Sequence, residues 1–458
     1  MSSSDPRILI CAPGSGSGKT LITCAILRLL KKKGYDPCSF KCGPDYIDPM
    51  FHKKVLGIPS GNLDLFLAGE KGVGQSLSEG MEGRDIAVIE GVMGFYDGFG
   101  KSHYEGSSYD LCVKTGTPAV LTVNCRGMSR SIIPMIKGFV DYEEKCMELS
   151  KENGSAPVIR GVILNNISPM IAPDIAELIE KELSLPVIGY LPKLDGELLG
   201  SRHLGLVMPD EVPQVLEIID RVAAELEKSF DFEKFFEIAR SAKAACCDKL
   251  EITPVTQKTV AVAMDEAFCF YYQDNLRLLE KLGARIKFFS PIHDEHLPKA
   301  DGIIIGGGYP ELHLQKLTEN ASMRQEIKSA ADSGIPILAE CGGFLYLKES
   351  FEDKDGEVYD MAGVLPGQGF MTDKLTHFGY VEVTATEDTP YLKRGESLRG
   401  HEFHYCDTTE NGSACTMTKP AGNRSWQGYQ VKKNVFAGFA HLYYPSNMDF
   451  LREFLRKI

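Results

Sequence analysis

Ile8-Leu9-Ile10-Cys11-Ala12-Pro13-Gly14-Ser15-Gly16-Ser17-Gly18-Lys19-Thr20 reads as a buried strand, a glycine loop and the first turn of a helix. Small residues let successive backbone N–H groups turn inward on phosphate oxygens, and the helix N-terminus adds its positive end. Gly14, Gly16, Ser17 and Gly18 form the expected cradle. Lys19 is placed to neutralise β- and γ-phosphates, and Thr20 to offer its hydroxyl to Mg²⁺. The strict pattern asks for Gly or Ala five positions before Gly18; Pro13 stands there and Ala12 lies one step further, so the loop is a variant, longer by one. A chance Gly/Ser turn before Lys-Thr is the plain alternative. The strand before it and the helical pattern from Thr20 to Lys33 after it argue against that alternative.

Apolar runs at Arg7 to Ala12, Asp85 to Glu90, Ala119 to Asn124, Gly161 to Asn165 and Val187 to Leu191 alternate with helical stretches. Strands buried on both faces and separated by helices predict an α/β fold with a parallel sheet. The pattern changes after about Val222. A Glu-, Lys- and Phe-rich helix runs into Ala-Cys-Cys and Thr-Pro-Val-Thr. The expected division is a phosphate-loop domain over 1–225, a linker over 226–257 and a second α/β domain over 258–458. That second domain opens on the strand Thr259 to Met264. It carries a Gly-, Thr- and aromatic-rich stretch over 361–440, read as mainly β, and ends on a helix from Asp449 to Lys457. Docking on the domain is expected of so short a helix, rather than lying on a membrane.

Acids cluster in the first domain. Lys41-Cys-Gly-Pro-Asp45-Tyr-Ile-Asp48 places two carboxylates three apart beside a lysine. This suits a divalent ion bridged to a substrate group, whereas a surface Pro-Asp turn is the bland reading. Glu90 ends a strand at the carboxyl edge, where nucleotide sites put a metal-holding or water-positioning acid. Asp64 and Asp97 follow, ranked last because either could cap a helix.

The second domain has its own signal. Ile337-Leu-Ala-Glu-Cys341-Gly-Gly is a buried strand breaking into a glycine turn, which presents a thiol at the top of a sheet, and a helix N-terminus is expected to lower its pKa. Asp301-Gly-Ile-Ile-Ile-Gly-Gly307-Gly308 ends in glycines whose N–H groups could face an oxyanion. A base should come from elsewhere in the chain, and His441, after a strand-like run, is the first candidate, with His404 the second. His401 and His404 could also be a metal pair, but positions three apart on a strand face opposite sides. Cys38 with Cys42, and Cys246 with Cys247, lack the company of a four-ligand zinc site.

With 458 residues the chain exceeds one core. A formal net charge of −13 argues against a nucleic-acid partner. No apolar run is long enough to span a bilayer, and no secretory leader is visible. Thirteen cysteines without a leader are expected to be reduced thiols of a cytoplasmic protein.

These residues together resemble the cobyrinate a,c-diamide synthase family of glutamine-dependent amidotransferases. The segments that carry the resemblance are 41–52, 90–98, 161–165, Arg202-His-Leu-Gly-Leu206, 265–272, Gly306-Gly-Gly-Tyr-Pro-Glu-Leu312, 340–343 and 399–405. The resemblance implies an amino-terminal synthetase domain similar to dethiobiotin synthetase and a class I, triad-type glutaminase domain. It implies Cys341 as nucleophile, His441 as its base, and Gly307 and Gly308 at the oxyanion hole. Relatives of that glutaminase type often carry Glu two residues after the histidine. Tyr443 stands there, so a dyad is expected. Asn124 stands where many relatives have aspartate.

The implied reaction amidates the a and c acetate carboxylates of cobyrinate through acyl phosphates. ATP is co-substrate, Mg²⁺ cofactor and L-glutamine the nitrogen source. Ammonia is expected to travel inside the protein, and a homodimer is the expected assembly. Hydrogenobyrinate and nickel sirohydrochlorin remain alternative substrates. A phosphate-loop switch ATPase of the partitioning type is the rival from another class; it has no use for Cys341.

Overall fold

The computed structural model describes residues 5–99, 104–150, 157–194, 215–245 and 252–458, with the side chains of 147–150 left out. It divides into two compact units, Met1–Lys249 and Leu250–Ile458.

The first unit is built on seven strands: β1 (Arg7–Cys11), β2 (Pro37–Cys42), β3 (Ser60–Leu63), β4 (Ile86–Glu90), β5 (Ala119–Asn124), β6 (Ile159–Asn165) and β7 (Val187–Tyr190). They pair in the order β3-β2-β4-β1-β5-β6-β7, every pair parallel. Alternation decides which layer each residue joins. Ile8 and Ile10 pack with Ile22, Ile26 and Leu29 of helix α1 (Lys19–Lys32). Leu9 and Cys11 belong to the opposite layer with Leu77, Leu111 and Leu121. A sheet covered on both faces needs apolar strands throughout, and all of β1 and β4 are buried.

The expected linker over 226–257 is corrected in its first part. Helix Val215–Glu227 runs through Leu226 and lies on α1, where Asp220 pairs with Arg28 at 2.8 Å and Lys32 at 2.7 Å. Helix Phe232–Arg240 buries Phe235, Phe236, Ile238 and Ala239 in the same layer. Its charged residues form the solvent face of an amphipathic helix, and that composition is what makes the segment read as a connector.

The second unit holds β8 (Thr259–Ala263), β9 (Arg285–Phe289), β10 (Gly302–Ile305) and β11 (Ile337–Glu340). With Val435–Gly438 and Gln430–Lys432 they form a six-stranded sheet. Only Gln430–Lys432 runs antiparallel to its neighbour. The stretch 361–440 is indeed β-rich and supplies half of a four-stranded sheet and four strands of a five-stranded one. The last helix, Met448–Lys457, docks through Phe450, Leu451, Phe454 and Leu455. Among the described residues no helix is long and apolar enough to cross a membrane.

Candidate active sites

The glycine loop leaves the carboxyl end of the central strand β1. Gly16 and Gly18 both take positive φ, 76° and 95°, which is why glycine is needed there. Ser17 Oγ donates to the Gly14 carbonyl at 2.9 Å and closes the loop. Lys19 folds back over it, donating to the carbonyls of Gly14 at 3.2 Å and Met93 at 2.6 Å. Burial and the neighbouring Lys41 hold its pKa below the usual lysine range. Asn165, at the end of β6, donates Nδ2 to the Ser17 carbonyl at 3.0 Å and fills the space a Cβ on Gly18 would need. Nothing in the loop itself announces Asn165; its place at a strand's carboxyl end, within 161–165, is the signal that could have found it.

Next to the loop lies a buried charge cluster. Register puts Lys41 of β2 beside Glu90 of β4. Lys41 Nζ lies 2.5 Å from Asp48 Oδ2 and 3.0 Å from Glu90 Oε1. Thr20 donates its hydroxyl to the same Glu90 oxygen. Asp48 sits in the first turn of helix α2 (Ile47–Leu56), which also carries His52. His52 lies 3.7 Å from Glu90 Oε2 and 3.0 Å from Ser39 Oγ. Burial pushes the Glu90 pKa up to about 7, with the Asp48 charge adding to it and Lys41 opposing. Burial is the largest single influence on Asp48 too, but Lys41, with His52 and Glu90, outweighs it and the net shift is downward. Lys41, set between two carboxylates, is held above the usual lysine range despite its burial. His52 is kept neutral by burial, down to about 4.

The remaining acids are placed differently. Asp45, raised to about 6 by burial and by Asp48, accepts from the Ile47 N–H at 2.8 Å. Asp64 caps helix α3 (Leu65–Met81), accepting from Leu67 N–H at 2.8 Å. Asp97 accepts from Gly94 N–H at 2.9 Å. Asn124 accepts from Asn166 and from the Arg126 N–H. The segment 202–206 and the pair Cys246 and Cys247 lie outside the described residues.

In the second unit Cys341 stands between β11 and the short helix Gly342–Tyr346, at φ 49° and ψ −106°, a conformation non-glycine residues rarely adopt. Such strain clusters at reactive positions. Its neighbours must be glycine. A Cβ on Gly342 would meet Pro310 Cδ at 2.8 Å and the Gly308 amide nitrogen at 3.3 Å, and one on Gly343 would strike the Ile305 carbonyl. The expected lowering of the thiol pKa is corrected. Burial and the charge of Glu311 push it well above the usual thiol range, because a five-residue helix cannot offset desolvation.

His441 pairs in register with His401 and is buried. Burial lowers its pKa to about 3. Its ring lies against Gly307, where a Cβ would collide with Cε1. The turn 306–308 thus walls both functional groups: Gly307 touches the imidazole and the Gly308 amide approaches the residue after the thiol. Gly307's own carbonyl accepts from the N–H groups of Cys269 and Phe270. Tyr443, two residues on, donates its hydroxyl to Asp274 at 2.7 Å. His404 is occupied elsewhere, stacked on Phe439 with centroids 4.0 Å apart and Nδ1 2.7 Å from the Cys406 carbonyl. His401 contacts Phe378 and Tyr380 instead. Among the described residues no group of three or more His, Cys, Asp or Glu side chains is gathered as a metal site would be.

Comparison with known proteins covers both units. Residues 8–201 match the model of the CobQ/CobB/MinD/ParA nucleotide binding domain, and residues 259–448 that of the CobB/CobQ-like glutamine amidotransferase domain. The cobyrinate a,c-diamide synthase of Listeria innocua is 38% identical over 455 residues, covering 98% of either chain. Its namesake from Caldanaerobacter subterraneus is 36% identical over 98% of this chain and 97% of its own. That from Salmonella typhimurium is 36% identical over the same shares.

Proposed function

The chain belongs to the cobyrinate a,c-diamide synthase family, and from that premise we propose how its two units divide the work. The protein is a nucleotide-using, glutamine-dependent amidating ligase of cobalamin biosynthesis. In our reading the second unit frees ammonia from glutamine and the first activates the a and c carboxylates of cobyrinate.

Glutamine hydrolysis starts from a neutral pair. The Cys341 thiol and the His441 imidazole are both buried, so an ion pair is unfavourable until substrate is present. As Sγ attacks the side-chain amide, His441 takes the thiol proton and then gives it to the leaving nitrogen. The S–C bond forms, the C–N bond breaks and ammonia departs; water then releases glutamate. In this reading the Gly308 N–H, with that of Gly342, donates to the developing oxyanion. Gly307 serves as the platform for the imidazole.

In the first unit a carboxylate must be activated, because oxide is not a leaving group. An acetate oxygen attacks the γ-phosphorus of ATP, ADP leaves, and ammonia then displaces phosphate from the acyl phosphate. Lys19 and Lys41 offset the charge that gathers during transfer. Lys19 exchanges its two carbonyl partners for phosphate oxygens. Lys41 orients the incoming carboxylate in this reading.

Mg²⁺ fits this site. It takes oxygen ligands and needs few from protein when phosphates complete its shell. Thr20, Glu90 and Asp48 would hold it; Asp64, engaged in capping a helix, is not in this set. The mutual repulsion of Glu90 and Asp48 is the feature a divalent cation relieves. Bound there, the ion would withdraw charge from the β- and γ-phosphate oxygens.

The observation that carries the reading is Lys41 set between Asp48 and Glu90 beside the glycine loop. The test uses cobyrinate labelled with ¹⁸O in its carboxylates, with ATP and ammonia. One labelled oxygen should appear in phosphate for each amide formed. Unlabelled phosphate excludes the acyl phosphate.

A further inference from the structure

The glycine turn 306–308 runs directly into Tyr309-Pro310-Glu311, and Pro310 to Leu312 form one 3₁₀ turn. Pro310 packs onto the elbow at Gly342. That turn packs against the short helix Gly342–Tyr346 that follows the thiol, and Glu311, its middle residue, keeps partial access to solvent. Its carboxylate exerts the strongest charge effect on Cys341 and also reaches Cys406. Among the described residues no lysine, arginine or histidine is paired with it, and burial without a counter-charge raises its pKa to about 7.

The other acids near the thiol are already used. Glu340 accepts from the Tyr444 hydroxyl and the Leu442 N–H. Glu402 is fully buried, 3.5 Å from His404. Glu311 is the half-open one. On its own it works against the chemistry, since negative charge opposes a thiolate. That opposition disappears when a cation arrives with the substrate. Glutamine brings one. Its α-ammonium is four bonds from the carbon that Sγ attacks, a reach of about 5 Å.

We propose that Glu311 binds the α-ammonium of glutamine and so makes the thiol site specific for an α-amino acid amide. The proposal rests on Cys341 being the thiol that attacks glutamine. Docking of the ammonium orients the side-chain amide. It also neutralises the charge that opposes thiolate formation, so the free enzyme keeps a quiet thiol and glutamine readies it.

Glu311→Gln tests this with two thiol reagents and one substrate. The diazoketone analogue of glutamine carries the α-ammonium; iodoacetamide carries none. In Glu311→Gln, kcat/KM for glutamine and the rate of inactivation by the diazoketone should each fall about tenfold or more. Alkylation of Cys341 by iodoacetamide should hold or accelerate, which also reports that the pocket is folded. Glu311→Asp should recover part of the loss. Equal slowing of both reagents, or unchanged glutamine kinetics, overturns the ammonium site. Glutamine hydrolysis that persists in Cys341→Ala marks a different failure, that of the underlying reading.

Discussion

The two sites keep their reactive groups in opposite ways. In the first unit Lys41 and Asp48 are buried with their charges present, each tolerable only because the other is, and Glu90 beside them is held partly neutral. In the second unit Cys341 and His441 are equally buried but both are held neutral. Phosphoryl transfer needs charge already in place when the nucleotide arrives. A thiol that hydrolyses amides does better uncharged until the right amide is bound. The contrast predicts that damage will look different on the two sides: loss of one function in the second unit, loss of function and stability together in the first.

The largest effect should come from Cys341→Ala. Glutamine-dependent amidation should fall at least about a thousandfold, as for other removed nucleophiles. Amidation driven by high ammonia should stay near wild type, measured by mass change of cobyrinate. If ammonia cannot replace glutamine in a folded variant, the two sites are not separable and the comparison breaks. Lys41→Met should act on the other side and more broadly. It leaves Asp48 and Glu90 buried without a cation, a change that costs about 3–5 kcal/mol in comparable buried pairs. Denaturant unfolding of the first unit should show that loss, and amidation should fall with either nitrogen source.

How far each side was legible follows from the same contrast. The glycine loop and the Cys341 elbow are local: strand, small residues and helix are consecutive, so the sequence displays the whole device. Lys41 and Asp48 are also close in sequence, and Glu90 is found by its place at a strand end. What joins them is the parallel register of β2 and β4, which no local pattern encodes. Asn165 reaching Ser17 and Gly307 cradling His441 are contacts between distant segments, visible only once the sheets are assembled. The thiol's raised pKa was missed for the same reason. A helix start is written in the sequence; burial of a side chain among residues from distant segments is not. The connector was misjudged because a charged amphipathic helix and a solvated linker have similar compositions.

Gly307→Ala sharpens the point about distant contacts. The new methyl group would occupy the space of the His441 ring, so the ring or the turn must move. Overpacking of this kind costs about 1–3 kcal/mol, which corresponds to roughly fivefold to 150-fold in glutamine kcat/KM if it displaces the base. Ammonia-driven amidation should not change. Iodoacetamide should still alkylate Cys341, separating a displaced imidazole from a collapsed pocket. Wild-type glutamine kinetics would mean that His441 does not need this platform.

The smallest effect concerns Glu340, which exchanges charge for neutrality beside the thiol. Burial raises its pKa to about 8, with the Tyr444 hydroxyl and Leu442 N–H only partly opposing that. A carboxyl with a folded pKa above its unfolded value holds a proton that the unfolded chain has released. Its contribution is therefore fully present below the ordinary glutamate range and fades as pH rises to about 8 and beyond. Hydrogen exchange of the β11 amides should accelerate between pH 5 and pH 9 by more than the intrinsic chemical rate requires. Glu340→Gln, which cannot ionise, should flatten that extra slope. The part due to Glu311, raised to about 7 and of the same sign, should remain. An unaltered slope in the variant would show that Glu340 keeps its charge in the folded chain, and that the neutrality of this side does not extend to it.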